Sequence, residues 1–371
     1  MRRIYLDYNA STPIDPAVAA TMKPFLGDDF GNPSSGHWAG TEAKAAIEGA
    51  RGQVAALLGC ESSEIVFTSG GSEANNLALK GVAWALRARG DHIITSAVEH
   101  PAILEPCRFL RDLGYRVSVV PVDRFGRIDP DEVRRAITPR TILVSIMHAN
   151  NEAGTVQPIA EISWITHERG IFLHTDAAQS VGKISTNVDA LRVDLLTIAG
   201  HKIYAPKGVG ALYIRSGTPL EPLIHGAGHE SGRRAGTESA LLAVGLGSAC
   251  MLAHDLGPMQ RVGTLRDRFW QRLQAKFGDR VMLNGHLNYR LPNTLNVSFA
   301  GRVGAEILAK LDGVAASTGS ACHTGRIELS PVLAAMKVGP EIGMGAIRFS
   351  LGRGSTQAEI DQVVEALGHV I

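Results

Sequence analysis

Residues 194–214 read DLLTIAGHKIYAPKGVGALYI, and this stretch decides the fold. Two apolar, β-branched runs, LLTI and GALYI, bracket a His-Lys pair, and the Pro206-Lys207-Gly208 turn stops either run from continuing through it. Lys202 is therefore expected on a tight loop between two strands. An arbitrary loop lysine is a solvated surface group. One fixed at a strand end in partly apolar surroundings can lose its proton near neutral pH and attack a carbonyl carbon, as Schiff-base chemistry requires.

Context upstream favours the second reading. In IFLHTDAAQSVGK a short apolar run from Ile171 to Leu173 is followed by Asp176 and Gln179, at the strand end where open α/β sheets carry their ligand-binding residues. An Asp there is by default a helix N-cap. Paired with a lysine on the neighbouring strand end, it matches what pyridoxal phosphate needs, an amine for the aldehyde and a carboxylate for the pyridinium nitrogen.

At this point the sequence resembles the cysteine desulfurases of the nitrogen-fixation and iron–sulfur-assembly type, class V aminotransferases of fold-type I. The matching segments run in order along the chain: IYLDYNASTP, FGNPSS, IVFTSGGSEANNLALKG, VEHPAIL, ANNEAGTVQPI, HTDAAQS, AGHKIYAPKG, GRRAGTES, ASTGSAC and IRFSLGR. The resemblance implies an α/β pyridoxal-phosphate transferase with a mostly parallel sheet flanked by helices and a smaller α+β C-terminal domain. Residues 15–255 would form the large cofactor-binding domain, and residues 1–14 with 256–371 the small one.

Composition agrees. A chain of 371 residues exceeds the size at which one core keeps growing. Apolar residues are 45% and charged residues 20%, and the net charge of +1 implies neither nucleic acid nor an anionic membrane as electrostatic partner. Met1-Arg2-Arg3 leads straight into a strand-like IYLDY, and the longest near-apolar run, 240–253, is too short and Gly-interrupted to span a bilayer. The cysteines, Cys60, Cys107, Cys250 and Cys322, are widely spaced and form no CxxC pair, so neither a metal site nor a disulfide framework is expected. A reducing cytoplasm fits these features.

Along the chain, a short helix over 15–25 and a loop at 31–36 precede a helix over 39–58. The run 64–71 then reads as a strand entering a glycine turn, and Ser72 opens a helix to about residue 89. Strand, glycine turn and helix N-terminus form a phosphate site as readily as a simple capped turn. Strands at 92–97, 115–122, 141–147 and 171–174 alternate with helices at 101–113, 131–136 and 159–169, which predicts a parallel sheet covered on both faces. Its strand ends gather Gly71, Ser72, His100, Asn151, Asp176, Gln179, His201 and Lys202 on one rim. One long helical stretch over 240–277 leads to strands at 294–299, 314–317 and 347–351 and helices at 305–311 and 356–368.

The resemblance assigns roles to these residues. His100, otherwise a capping histidine, would lie on the cofactor ring and move protons; Gln179 would donate to the ring's phenolate oxygen; Asn151 would hold the substrate or the ring. Ser72 with the Gly71 backbone, His201 and Thr237 would hold the phosphate, Thr237 coming from the other subunit of a homodimer. Ala199 departs from the usual Ser of S-G-H-K and removes one hydroxyl, at about 1 kcal/mol. Arg348, on a strand, needs a partner for its guanidinium: the substrate carboxylate by resemblance, or an intramolecular salt bridge. Cys322, in the Gly/Ser-rich ASTGSACHTGRIELSPVL, is the nucleophile that would take sulfur from L-cysteine as a persulfide, leaving L-alanine, for delivery to a sulfur-acceptor protein. His323 after the cysteine also occurs in selenocysteine lyases, the alternative activity.

Overall fold

The computed structural model describes residues 3–318 and 328–371. Its strands, in chain order, are β1 (Ile4–Tyr5), β2 (Ile65–Thr68), β3 (His92–Ser96), β4 (Arg116–Val120), β5 (Thr141–Ser145), β6 (Phe172–Asp176), β7 (Leu195–Ala199), β8 (Gly210–Ile214), β9 (Val281–Asn284), β10 (Thr294–Phe299), β11 (Val314–Ala315) and β12 (Ala346–Ser350). Seven of them form one sheet in the order β2-β8-β7-β6-β5-β3-β4. The neighbours from β7 to β4 are parallel, and β8 alone runs against both its neighbours. The two apolar runs around Lys202 are thus an antiparallel pair, with Leu195 opposite Ile214 and Ala199 opposite Gly210.

Why these runs become central strands follows from their side chains. Leu195 and Leu196, Ile93 and Ile94, and Val66 and Phe67 point alternately into two different apolar cores, one on each face of the sheet. Each fully buried Leu or Ile contributes about 1.5–3 kcal/mol. Helices Trp38–Leu58 and Ala240–Ala253 pack on one face, Gly71–Ala85 and Pro101–Asp112 on the other. A third core, built on Ile4, Leu6, Phe269, Phe299 and Phe349, lies between the antiparallel sheet β12-β10-β9 and helices Gly257–Phe277 and Gln357–Val370. Val332, Leu333, Met336 and Ala346, from the C-terminal part of the chain, join the core of the large sheet instead.

Several element boundaries differ from the sequence reading. The helical stretch over 240–277 is two helices, Ala240–Ala253 and Gly257–Phe277, which meet at 68°. Asp255 accepts from Gly257 N at 2.8 Å, and proline at the second helix's start cannot continue the first. No single helix among the described residues is long and apolar enough to cross a membrane. The expected strand at 314–317 is shortened to Val314–Ala315, with Ser317 bridging Arg348 beyond it. Strand β9 and the short helices Val188–Leu191, Pro331–Ala335 and Pro340–Gly343 had no periodic signal in sequence.

Candidate active site

Lys202 sits in the connection between β7 and β8. Gly200 N donates to Val209 O at 3.0 Å and Ile203 N to Gly200 O at 3.0 Å, closing a 3₁₀ turn over Gly200–Lys202. A side chain on Gly200 would come within 2.9 Å of Val209 O, so the turn needs glycine here. Tyr204 follows in the left-handed region at φ 70°. It is pinned there by its N–H on Thr12 Oγ1 (2.8 Å) and by its hydroxyl, which accepts from Arg353 N (2.8 Å). The tight turn aims Lys202 Nζ at the backbone carbonyls of Asn9 (2.6 Å) and Ala10 (2.9 Å). Burial, with Arg348 nearby, lowers the Lys202 pKa to about 8, while Asp176 and Asp7 pull the other way.

The turn opens into a cavity of about 410 Å³, lined among others by Gly71, Ser72, Asn75, His100, Asn151, Asp176, Gln179, His201 and Arg348. Parallel strand ends deliver these residues to one rim. Asp176, last residue of β6, is buried; its Oδ1 accepts from Ala178 N at 2.9 Å and its Oδ2 from Asn75 Nδ2 at 2.7 Å. Asn75 Oδ1 is buried without a partner among the described residues. His100 caps helix Pro101–Asp112 through Nδ1, which accepts from Ala102 N at 3.0 Å, so Nε2 carries the hydrogen in the neutral ring. The capping and cavity readings of His100 therefore hold together. Burial and Lys202 lower its pKa against the opposing pull of Asp176, burial being the largest effect.

Gly70, at φ 149°, turns the chain from β2 into helix Gly71–Ala85, whose first turn faces the cavity at Gly71 and Ser72. A helix of this length presents unpaired N–H groups and its positive end there. His201 lines the same end, its pKa lowered to about 4 by burial and by Lys202 and Lys207. Ala199 Cβ lies where a Cβ on Gly71 would come within 3.1 Å. A buried carboxylate, an amine of lowered pKa and a helix N-terminus around one cavity are the donor set that pyridoxal phosphate requires, and the residues fit it.

Arg348, which lines the same cavity, is buried on β12, and it realises the salt-bridge alternative: Nη2 donates to Asp7 Oδ1 at 2.8 Å. Nη1 donates to Asn151 O at 3.0 Å, and Nε has no partner among the described residues. Asp7 Oδ2 accepts from Ser317 Oγ at 2.9 Å, fixing the carboxylate. Asn9, buried at 1% exposure, ties the walls together. Its Nδ2 donates to Asn151 O and Thr294 Oγ1, its Oδ1 accepts from Asn293 Nδ2, and its carbonyl accepts from Lys202 and Gln179.

Sequence reasoning named neither Asp7, Asn9 nor Asn75, although all three lie within the quoted segments IYLDYNASTP and SGGSEANNLALKG. A polar residue inside an otherwise apolar, strand-flanking motif was the available signal. Thr237 is exposed and lies outside this cavity, in a separate cleft with Glu230, Arg234 and Glu238. Cys322 and His323 fall outside the described residues. The thiols of Cys107 and Cys250 are buried and that of Cys60 half-buried, and burial pushes each up to about 12, which leaves them protonated and inert.

Comparison with known proteins supports the same assignment. The aminotransferase class-V family model matches residues 4–363. Cysteine desulfurase IscS of Dictyoglomus turgidum is 51% identical over 374 residues, covering 100% of this chain and 95% of its own. Among solved structures, a NifS-like protein superposes with a TM-score of 0.93 at 38% identity over 99% of both chains. SspA in complex with cysteine does so at 0.85 and 38% identity, over 95% of this chain and 100% of its own. With a fold and a sequence that agree over nearly the whole length, the chain belongs to the class-V aminotransferase family, in its cysteine desulfurase branch.

Proposed function

We propose that this protein removes sulfur from L-cysteine with the help of pyridoxal phosphate, giving L-alanine and a persulfide on Cys322. The observation that carries the reading is the cavity itself: Lys202, with a pKa near 8, and buried Asp176 open onto the same space as His100 and Arg348. Lys202 would hold the cofactor's aldehyde, Asp176 its ring nitrogen, Gln179 its phenolate oxygen, and Gly71, Ser72 and His201 its phosphate. Thr237 from a second copy would complete the phosphate site, which makes the working unit a homodimer.

Pyridoxal phosphate, when bound, supplies an electron sink that acidifies the substrate's Cα–H bond. Burial lowers the Lys202 pKa to about 8, which makes its amine easier to free of a proton, so it can take the Cα proton once substrate has displaced it. His100 Nε2, with Nδ1 fixed on Ala102 N, is the second group able to move protons in the cavity. Arg348 and the Asn151 side chain orient the substrate carboxylate. Cys322 thiolate then attacks the substrate sulfur. An S–S bond forms as the Cβ–S bond breaks, and the electron pair stays on the carbon fragment, which takes up protons and leaves as alanine. Cysteine and one thiol become alanine and one persulfide, so no external oxidant is needed. The persulfide passes to an acceptor protein.

The purified protein incubated with pyridoxal phosphate is expected to turn yellow and to retain the cofactor on Lys202 after borohydride reduction; Lys202→Ala should lose that link. A wild-type protein that stays colourless, with no reducible link, overturns the cofactor assignment.

A further inference from the structure

Behind the cavity wall lies a second lysine that the mechanism above does not use. Lys183 is 8% exposed, in the turn that follows β6, and its Nζ donates to Gln179 Oε1 at 3.1 Å. Gln179 is itself buried, and its Nε2 donates to Asn9 O at 3.0 Å. A primary amide carries two N–H hydrogens and two acceptor lone pairs. Here the oxygen is claimed by Lys183 on the far side and one N–H by the Asn9 carbonyl, which leaves the second N–H for the cavity that Gln179 lines. Rotating the amide by half a turn would set its NH₂ against the Lys183 donor and its oxygen against the Asn9 carbonyl, and both contacts would then repel.

We infer that Lys183 is a positioning residue: by holding Gln179 Oε1 it fixes the amide so that a hydrogen-bond donor, never an acceptor, faces an anionic oxygen on the cofactor ring. This inference rests on the reading of the cavity as a pyridoxal-phosphate site. The cost of the arrangement supports it. Burial, together with Lys202 and Arg348, lowers the Lys183 pKa to about 7, so a buried amine beside two other cations is kept where an apolar side chain would be easier to bury. Tyr8, Lys202, Tyr204 and Arg353 line the same void of about 10 Å³ as Lys183, a space too small for more than about one water. As an ammonium Lys183 offers only donors, and when it is neutral and its lone pair can accept, a flipped amide would still set Gln179 Oε1 against the Asn9 carbonyl oxygen.

The test uses the cofactor-loaded protein and reads the pH midpoint of the cofactor's visible band rather than turnover. A donor on the ring oxygen favours its ionised form and lowers the midpoint, so losing it raises the midpoint. Lys183→Met and Gln179→Leu should each raise it by roughly half a unit or more, and the double variant should move it no further than either single one. Lys183→Ala serves in the same role should the Met variant not fold. Thermal stability of Lys183→Met should equal or exceed wild type, which separates positioning from a packing role. A midpoint unchanged in both Lys183 variants but raised in Gln179→Leu overturns the inference and leaves the cofactor reading intact. A midpoint unchanged in Gln179→Leu overturns it as well, and a wild-type protein with no visible band takes the cofactor reading down with it.

Discussion

Arg348 faces two claims on one guanidinium. Asp7 holds Nη2 and the Asn151 carbonyl holds Nη1, which locks the fork in place on β12 before any substrate arrives. A fork held by two fixed acceptors loses little side-chain entropy when it meets a carboxylate, and among the described residues Nε and the remaining N–H groups are what it has left to offer. Lysine at this position keeps the charge but loses the fork. Arg348→Lys is therefore expected to raise KM for cysteine by roughly 10- to 100-fold while the cofactor's visible band stays as in wild type. An unchanged KM would assign Arg348 to the salt bridge with Asp7 alone. How far the residue scale could be read in sequence depended on the partner's distance. Lys202, Asp176 and Gln179 announced themselves because each stands at the end of an apolar run. Asp7 and Asn9 act on residues more than 140 positions away, through contacts that no local period reveals.

At the scale of elements, the strand ends do most of the positioning, and the 226–239 segment is the element held by something else. Glu230, at φ 49° and followed by Ser231 at φ 57°, bends the chain where glycine would be easier. It is kept there by Arg51, which donates from Nη1 at 2.6 Å and Nη2 at 3.0 Å, and by Phe67 N at 2.9 Å. Both side chains are buried, at 8% and 2% exposure. Arg51 keeps Glu48 on Nε at 3.2 Å and Glu238 3.7 Å from Nη2, so Glu230→Gln weakens its pairing without stranding it and should destabilise the protein by about 1–3 kcal/mol, measured by denaturant unfolding; a loss below about 0.5 kcal/mol would mean that the pair is not what holds this segment. The βα alternation was legible because apolar runs and amphipathic helices have short periods, and the antiparallel entry of β8 followed from nothing in its composition. The break at 254–256 was hidden for a related reason: both helices carry helical patterns, and only Asp255 and the proline at 258 mark the corner between them.

For the whole molecule, two apolar cores flank the large sheet and a third supports the C-terminal sheet, with the cavity between β6, β7, the N-terminal segment and β12. We propose the division into a large unit over 15–255 and a small unit from 1–14 and 256–371 on that basis, with Val332, Leu333 and Met336 as the part of the small unit that docks on the large one. Such a seam brings Arg348 from one unit to Lys202 from the other. What the cavity cannot do by itself is accept sulfur: Lys202, His100 and Arg348 bind, orient and move protons, and none of them is a thiol. The central claim is therefore that sulfur leaves on Cys322. The direct measurement is the mass of the Cys322 peptide after the loaded protein has turned over one equivalent of L-cysteine, in wild type and in Cys322→Ser. One added sulfur atom on Cys322 in wild type is expected, with alanine formed in step. In Cys322→Ser the cofactor band should still respond to cysteine while alanine and sulfide formation fall by at least about 100-fold. Retention of most of the desulfurase rate in Cys322→Ser, or wild-type turnover with no sulfur on Cys322, would contradict the account.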